Sequence, residues 1–337
     1  KNSLYGIPKG CTNMIPANYT TEVWNPVYRA YFEKENFLFT LFYVTIFLFS
    51  VPANAIALVV FFIQKGKTTV AKVFLTHLVV ADMSYVLLLP MRTVYHISNN
   101  NWIFGELLCR LAGFLFYLNL YCSLYFMTCI SFNRFLAVVF PIRSRSLRKP
   151  LYAKMICAFL WCSITISMIP MLQSHQTVHI KSEDFNITVC NQMYREKTSP
   201  KALVSTAVAF MIPLAMLTLS YVLILCKLFR MNLQGNNGIQ RKAVYVITLT
   251  LMNFLLAFVP YHVHRFIYIL RYIQGDVPRG TMELLVLWNR ITSALTCTSG
   301  IIDPIMYFFL AKTYRETLLH ILRRLREKCS TIKAEPA

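Results

Sequence analysis

The sequence predicts an all-α membrane protein, a seven-transmembrane helix bundle with a short amphipathic membrane-surface helix after the seventh span. Three observations predict it. Seven apolar runs divide the chain, each long enough to cross a bilayer, which takes about 20 residues. Of the 337 residues, 56% are hydrophobic and 14% charged, whereas soluble domains carry about 25% charged residues. Polar side chains are therefore too few to cover a soluble globule. Finally, the basic residues fall in short clusters between the apolar runs, as in membrane-protein loops.

The runs are read at 37–63, 70–97, 106–139, 152–172, 200–230, 240–272 and 281–310. The third is long for one crossing and is expected to tilt. Residues 1–36 are an extracellular N-terminal segment, 37–310 the bundle, 311–326 the surface helix and 327–337 a cytoplasmic tail. The N-terminal segment has no short apolar run ending in small residues, so no signal peptide is read there. In 311–326, Tyr314, Leu318, Leu319, Ile321, Leu322 and Leu325 recur at helical spacing among Arg and Lys. That pattern suits a helix lying along the membrane; a solvated basic tail is the alternative.

Orientation follows from the basic clusters. Lys65, Lys67 and Lys72 follow the first span; Arg143, Arg145, Arg148 and Lys149 the third; Lys227, Arg230, Arg241 and Lys242 the fifth; and Arg315, Arg323, Arg324 and Arg326 the seventh. All lie on one side, which is cytoplasmic, so the N-terminus is outside and the chain is placed in the plasma membrane. The net charge of +20 thus belongs to loops, and nothing points to nucleic acid. The glycosylation triplets at Asn18 and Asn186 both fall outside. Cys109 at the start of the third span and Cys190 in the long outer loop share the oxidising side and can pair. Cys11 then lacks an evident partner. Cys329 either carries a palmitoyl anchor or is a free thiol.

Ionisable groups inside a bilayer are costly and mark function. Asp82, Asn119, Ser123 and Asp303 supply oxygens suited to a hard cation such as sodium, with Asn119 and Ser123 on one helix face; a polar network that only joins helices is the other reading. Arg134 closes the third span, either as a contact for an intracellular partner or as a snorkelling side chain. Prolines 52, 90, 170, 213, 260 and 304 interrupt the spans, as hinges or as static bends. Near the outer ends stand Arg92, Tyr95, Tyr117, His262, Arg265, Asn289 and Arg290. Three arginines on one outward cavity suit an anionic ligand, since the guanidinium fork binds carboxylate and phosphate; their other reading is anchoring at headgroup level.

Together these motifs resemble the rhodopsin-like (class A) G-protein-coupled receptors. The resemblance is carried by Asn54, by Leu78-Val-Val-Ala-Asp82, by Trp102-Ile-Phe-Gly105 before Cys109, and by Asn133-Arg134-Phe135. Trp161, Pro213 with Tyr221, Phe254-Leu-Leu-Ala-Phe258-Val-Pro260 and Asp303-Pro304-Ile-Met-Tyr307 complete it. The stretch from Phe258 to Arg265 and the Asp of Asp303-Pro304 are similar to the purinergic and cysteinyl leukotriene branch. The resemblance implies an extracellular small anionic ligand and a heterotrimeric G protein, of the inhibitory class. It implies that Arg134, Tyr221 and Tyr307 receive that G protein, and that Phe254, Phe258, Pro260 and Pro213 transmit the signal. Asn133 departs from the family's Asp and is expected to keep only a neutral hydrogen bond to Arg134, which raises basal activity. No cysteine lies between 275 and 281 to take Cys11. Only Ser330 and Thr331 follow Cys329, so arrestin recruitment through a phosphorylated tail is expected to be weak.

Enzyme and transporter classes find no support. There is no H-E-x-x-H, no hydrolase-type serine motif and no inverted repeat. No cofactor is called for beyond an allosteric sodium ion. A receptor that signals without ligand, and one that binds a peptide or chemokine, are the remaining alternatives.

Overall fold

The computed structural model describes residues 26–63, 68–181, 186–190, 200–232, 245, 247–274, 278–310, 314–320 and 323–324. Asn18, Cys11 and Cys329, named above, lie outside them, as does the side chain of Asn186. Among the described residues, seven helices are long and apolar enough to cross a membrane. They are α1 (Pro26–Ile63), α2 (Val70–Ile97), α3 (Gly105–Val139), α4 (Pro150–Gln173), α5 (Pro200–Asn232), α6 (Ile247–Arg271) and α7 (Leu284–Leu310). Residues 314–320 form a further helical stretch, α8.

The crossing stretch of α1 starts at Lys34, but the helix itself begins at Pro26, earlier than the predicted start at residue 37. Hydropathy marks where a helix leaves lipid, not where it stops being helical.

The axis of the bundle is α3, 67% of whose most apolar window is buried; α4, at 11%, is the outermost helix. α3 packs on α2, α4 and α5. The Trp161 indole of α4 donates to His77 of α2 at 3.2 Å.

Two of the three interruptions lie just before a proline. In α2 the run breaks at Leu87–Leu88 and restarts with Pro90 in its first turn. In α6, Phe254–Phe258 forms a π-helical turn immediately before Val259 and Pro260. Such a turn accommodates the N–H that Pro260 lacks and the clash of its ring. In α7 the helix opens at Cys297–Thr298 and resumes through Pro304. Pro304 cannot donate to the carbonyl of Gly300, four residues back. Asn54 of α1 does so instead, from Nδ2 at 2.7 Å, and also reaches the Ser50 carbonyl at 3.0 Å. A Cβ at Gly300 would rest in ordinary van der Waals contact with Ser50, at 3.4 Å.

The outer loop, where sequence analysis places no strand, contains a hairpin. β1 (Thr177–Lys181) runs antiparallel to β2 (Asn186–Cys190), with Thr177 opposite Cys190. The Cys109–Cys190 disulfide ties it to α3. Glu106 fixes the other strand: its carboxylate accepts from the amides of Gln176 and Thr177 at 2.8 and 2.9 Å, and from Arg110 Nε at 2.6 Å. Gly105 has φ +78°, the left-handed region that only glycine enters freely, and its carbonyl accepts the Trp102 indole N–H at 2.7 Å.

Replacing Asn54 with Ala leaves the Gly300 carbonyl without a donor inside the bundle. The expected cost is about 1–3 kcal/mol, read as a lower thermal unfolding midpoint in detergent. An unchanged midpoint would show that another group satisfies that carbonyl.

Candidate functional site

The polar side chains inside the helices gather at three levels. At mid-membrane, Asp82 and Asp303 are both buried. Asn119 Nδ2 donates to Asp82 Oδ1 at 3.4 Å and to Ser123 Oγ at 3.2 Å, and Ser123 Oγ donates to Asp82 Oδ1 at 3.4 Å. The Tyr307 hydroxyl donates to Asp82 Oδ2 at 3.0 Å, and Asn253 Nδ2 to Asp303 Oδ1 at 2.7 Å. The second oxygen of Asp303 is buried with no hydrogen-bond donor. The four residues singled out in the sequence are thus neighbours, joined by Tyr307 and Asn253. Asn253 was not singled out in the sequence. Two carboxylates, an amide and a hydroxyl, with an unanswered buried oxygen, fit a hard cation by the chemistry of the donor set.

At the cytoplasmic end, the Tyr221 hydroxyl and Ser131 Oγ are hydrogen-bonded at 2.6 Å. Arg134 donates from Nη2 to the Leu310 carbonyl at the end of α7, at 3.3 Å. Asn133 does not bond Arg134. Its Oδ1 accepts from Arg148 Nε at 3.3 Å, which corrects the expectation of a neutral Asn133–Arg134 bond. The physical reason is placement: neighbours in a helix point about 100° apart, so Asn133 faces the loop before α4 while Arg134 reaches towards α7. Above this level Phe210 stacks on Phe254 at 5.8 Å, and Phe254 lies against Phe258 at 6.0 Å. These contacts sit on the π turn.

At the outer end, Arg265 Nη1 donates to the hydroxyls of Tyr117 at 2.7 Å and Tyr261 at 3.0 Å, while Nε donates to Thr206 at 3.1 Å. Arg92 lies in an aromatic cage, its guanidinium 4.7 Å from the centre of Phe116, 5.7 Å from Tyr85 and 5.8 Å from Tyr43. Phe116 meets both Tyr117 and Tyr261 edge-on, so one aromatic wall joins the two arginines. Arg290 donates to Glu35 at 3.2 Å, to Asn36 at 2.6 Å and to His96 at 3.3 Å. His96 in turn stacks on Tyr43. Tyr95 is buried against Trp102 and His96, and Asn289 is buried on α7. His262 sits deeper, stacked on Phe210 at 4.3 Å, with Nδ1 2.9 Å from the Phe258 carbonyl. Glu35, Asn36 and Tyr43 were missed in the sequence. Glu35 and Asn36 become legible once the polar residues before 37 are read as a continuation of α1, whereas Tyr43 lies within the first predicted run.

The family described as 7 transmembrane receptor (rhodopsin family) matches residues 53–307. The chain belongs to that family. It is therefore a G-protein-coupled receptor, a multi-pass protein of the plasma membrane, and not an enzyme. It is 49% identical over 288 residues to the uracil nucleotide/cysteinyl leukotriene receptor of Homo sapiens, covering 86% of this chain and 77% of that one. It is 32% identical over 252 residues to cysteinyl leukotriene receptor 1 of Sus scrofa, with 73% of each covered. With a purinoceptor of Xenopus laevis it shares 31% identity over 301 residues, 86% of this chain and 55% of that one. The receptor thus lies in the branch that its helix-six motif resembles.

The Glu35–Arg290 pair is largely shielded, its side chains 14% and 5% exposed. Removing one partner leaves a charge in a poorly hydrated place. Glu35→Gln is expected to cost on the order of 1–3 kcal/mol, and the double variant with Arg290→Gln to recover part of it. Thermal unfolding of the three proteins measures the coupling, and strict additivity would mean the pair contributes nothing.

Proposed function

We propose that this receptor senses a small anionic ligand from the extracellular side, of the nucleotide, nucleotide-sugar or cysteinyl leukotriene class. In response it activates a heterotrimeric G protein of the inhibitory class. The observation that carries the reading is the Arg265 guanidinium, held in place by Tyr117, Tyr261 and Thr206. A fork immobilised by hydroxyls loses little freedom when it meets a carboxylate or phosphate. Arg92 extends the positive field along the same wall, and the names of the three relatives agree with an anion. G-protein choice rests on the resemblance alone.

The test is G-protein activation in cells expressing wild type or Arg265→Ala, with nucleotides, nucleotide sugars and cysteinyl leukotrienes applied singly. A response present in wild type and weakened at least tenfold in the variant, at equal surface expression, identifies the ligand class. An undiminished response in the variant refutes the role of Arg265. A peptide or chemokine ligand would appear as silence to all three anions with a response to peptide.

A second reading has its own observation. Asn133 holds Arg148 rather than Arg134, so Arg134 has no carboxylate beside it in the helix. The receptor is accordingly proposed to signal without ligand, and Asn133→Asp to lower that basal signal. Equality of wild type with empty vector would refute it.

Asp82, Asn119, Ser123 and Asp303 are proposed to hold a sodium ion. Bound there, the ion supplies the positive charge that two carboxylates inside the bilayer require. Replacing choline by sodium should then raise the unfolding midpoint of wild type and leave that of Asp303→Asn unchanged. Equal midpoints in the two salts would count against the ion.

A further inference from the structure

A cavity of about 400 Å³ opens on the cytoplasmic side between the start of α2, the end of α3 and the start of α4, lined in part by Arg134, Arg145 and Arg148. Among the residues that line it there is no carboxylate. Three guanidinium groups around one space repel one another unless an anion joins them. Arg148 is aimed by Asn133, whose neutral amide accepts its Nε–H and leaves its charge uncompensated. Arg134 has a buried Nε with no hydrogen-bond acceptor, while its Nη2 reaches Leu310.

The backbone adds to this. Thr69 caps α2, its hydroxyl accepting from the Lys72 amide at 3.2 Å. Val70 and Ala71, the first two residues of the helix, line the cavity. First-turn amides have no intrahelical acceptor and carry the positive end of the helix dipole. Such amides and Arg forks together make up a phosphate-binding arrangement. The volume falls within the range of sites for small molecules. Leu147 and Leu151, flanking the cavity in sequence, are each 63% exposed.

We propose that this cavity is a binding site for a phosphate-bearing anion at the inner face of the membrane, presented by a phosphorylated lipid headgroup or as a soluble phosphate ester. Arg145 and Arg148 grip the phosphate, the α2 amides cap it, and Asn133 keeps Arg148 in position while adding no negative charge. The proposal is independent of the extracellular ligand, because the measurement that tests it is binding and not signalling.

The experiment uses the full-length receptor in phosphatidylcholine nanodiscs with and without phosphatidylinositol bisphosphate, and, in separate samples, soluble inositol trisphosphate or inorganic phosphate. Unfolding midpoints and native mass spectra are recorded for each. The expected result is a raised midpoint and a retained anion in wild type. Affinity should fall at least tenfold in the Arg145→Gln/Arg148→Gln variant, and should be unchanged in Arg143→Gln, an exposed arginine outside the cavity. Asn133→Asp provides a second variant that keeps an acceptor for Arg148 but puts a carboxylate on the wall; it should weaken binding comparably. Saturation by the soluble esters identifies a free phosphate, and an effect confined to the lipid identifies a headgroup. Absence of binding by every anion overturns the proposal, as does equal loss in Arg143→Gln or full binding in Asn133→Asp.

Discussion

A backbone polar group inside the bundle finds no partner in lipid, so the protein has to supply one. That constraint organises the receptor. Pro304 strips a donor from α7, and Asn54 of α1 replaces it across the interface. The close packing of α1 and α7 at Gly300 is thus tied to a defect in one helix that the other repairs. The same logic places Asn253 against Asp303 and Tyr307 against Asp82. It also sets the Trp161 indole on His77, which fastens the outermost helix to the bundle. Dispersion packing alone would hold such helices with little preference for one rotation over another. Hydrogen bonds at single points choose the rotation.

The outer and cytoplasmic ends use arginine in different ways. Outside, the guanidinium groups are enclosed by aromatic rings and tyrosine hydroxyls, and one is neutralised by Glu35. Inside, three arginines share a cavity wall without any acid. Asn133 is the hinge of that difference. Its neutral side chain orients Arg148 through a hydrogen bond, whereas a carboxylate would also cancel its charge.

The spans were legible because 20 apolar residues have few alternatives to crossing a bilayer. Asp82, Asn119, Ser123 and Asp303 were legible for the converse reason, since polar groups are rare there. What escaped was whatever hydropathy does not encode. The polar turns of α1 before Phe37 are helical through backbone bonds that leave no mark in composition. The partner of Asn133 depends on which way two consecutive side chains leave a helix. The hairpin had a signal, since Val178, Ile180, Ile187 and Val189 alternate with other residues on its two strands, but it lay in a segment read as loop because it was too short and too polar to cross a membrane.

Between the two ends runs one packed route. Arg265 reaches Tyr117 and Tyr261, Tyr261 lies edge-on to His262, His262 stacks on Phe210 and Phe210 stacks on Phe254. Next to Phe254 is Asn253, which bonds Asp303. Contact alone carries no signal; a route transmits only through an element with two arrangements. The π turn at Phe254–Phe258 lies on that route. It holds one residue more per turn than an α-helix, and Pro260 just beyond it prevents the ladder from closing regularly. Shifting the extra residue along α6 would rotate Phe254 against Phe210 and Asn253 against Asp303 while leaving the helix above Pro260 intact. Under the proposed function a ligand at Arg265 would pull at one end of that turn, while Asn253, bonded to Asp303, holds the other.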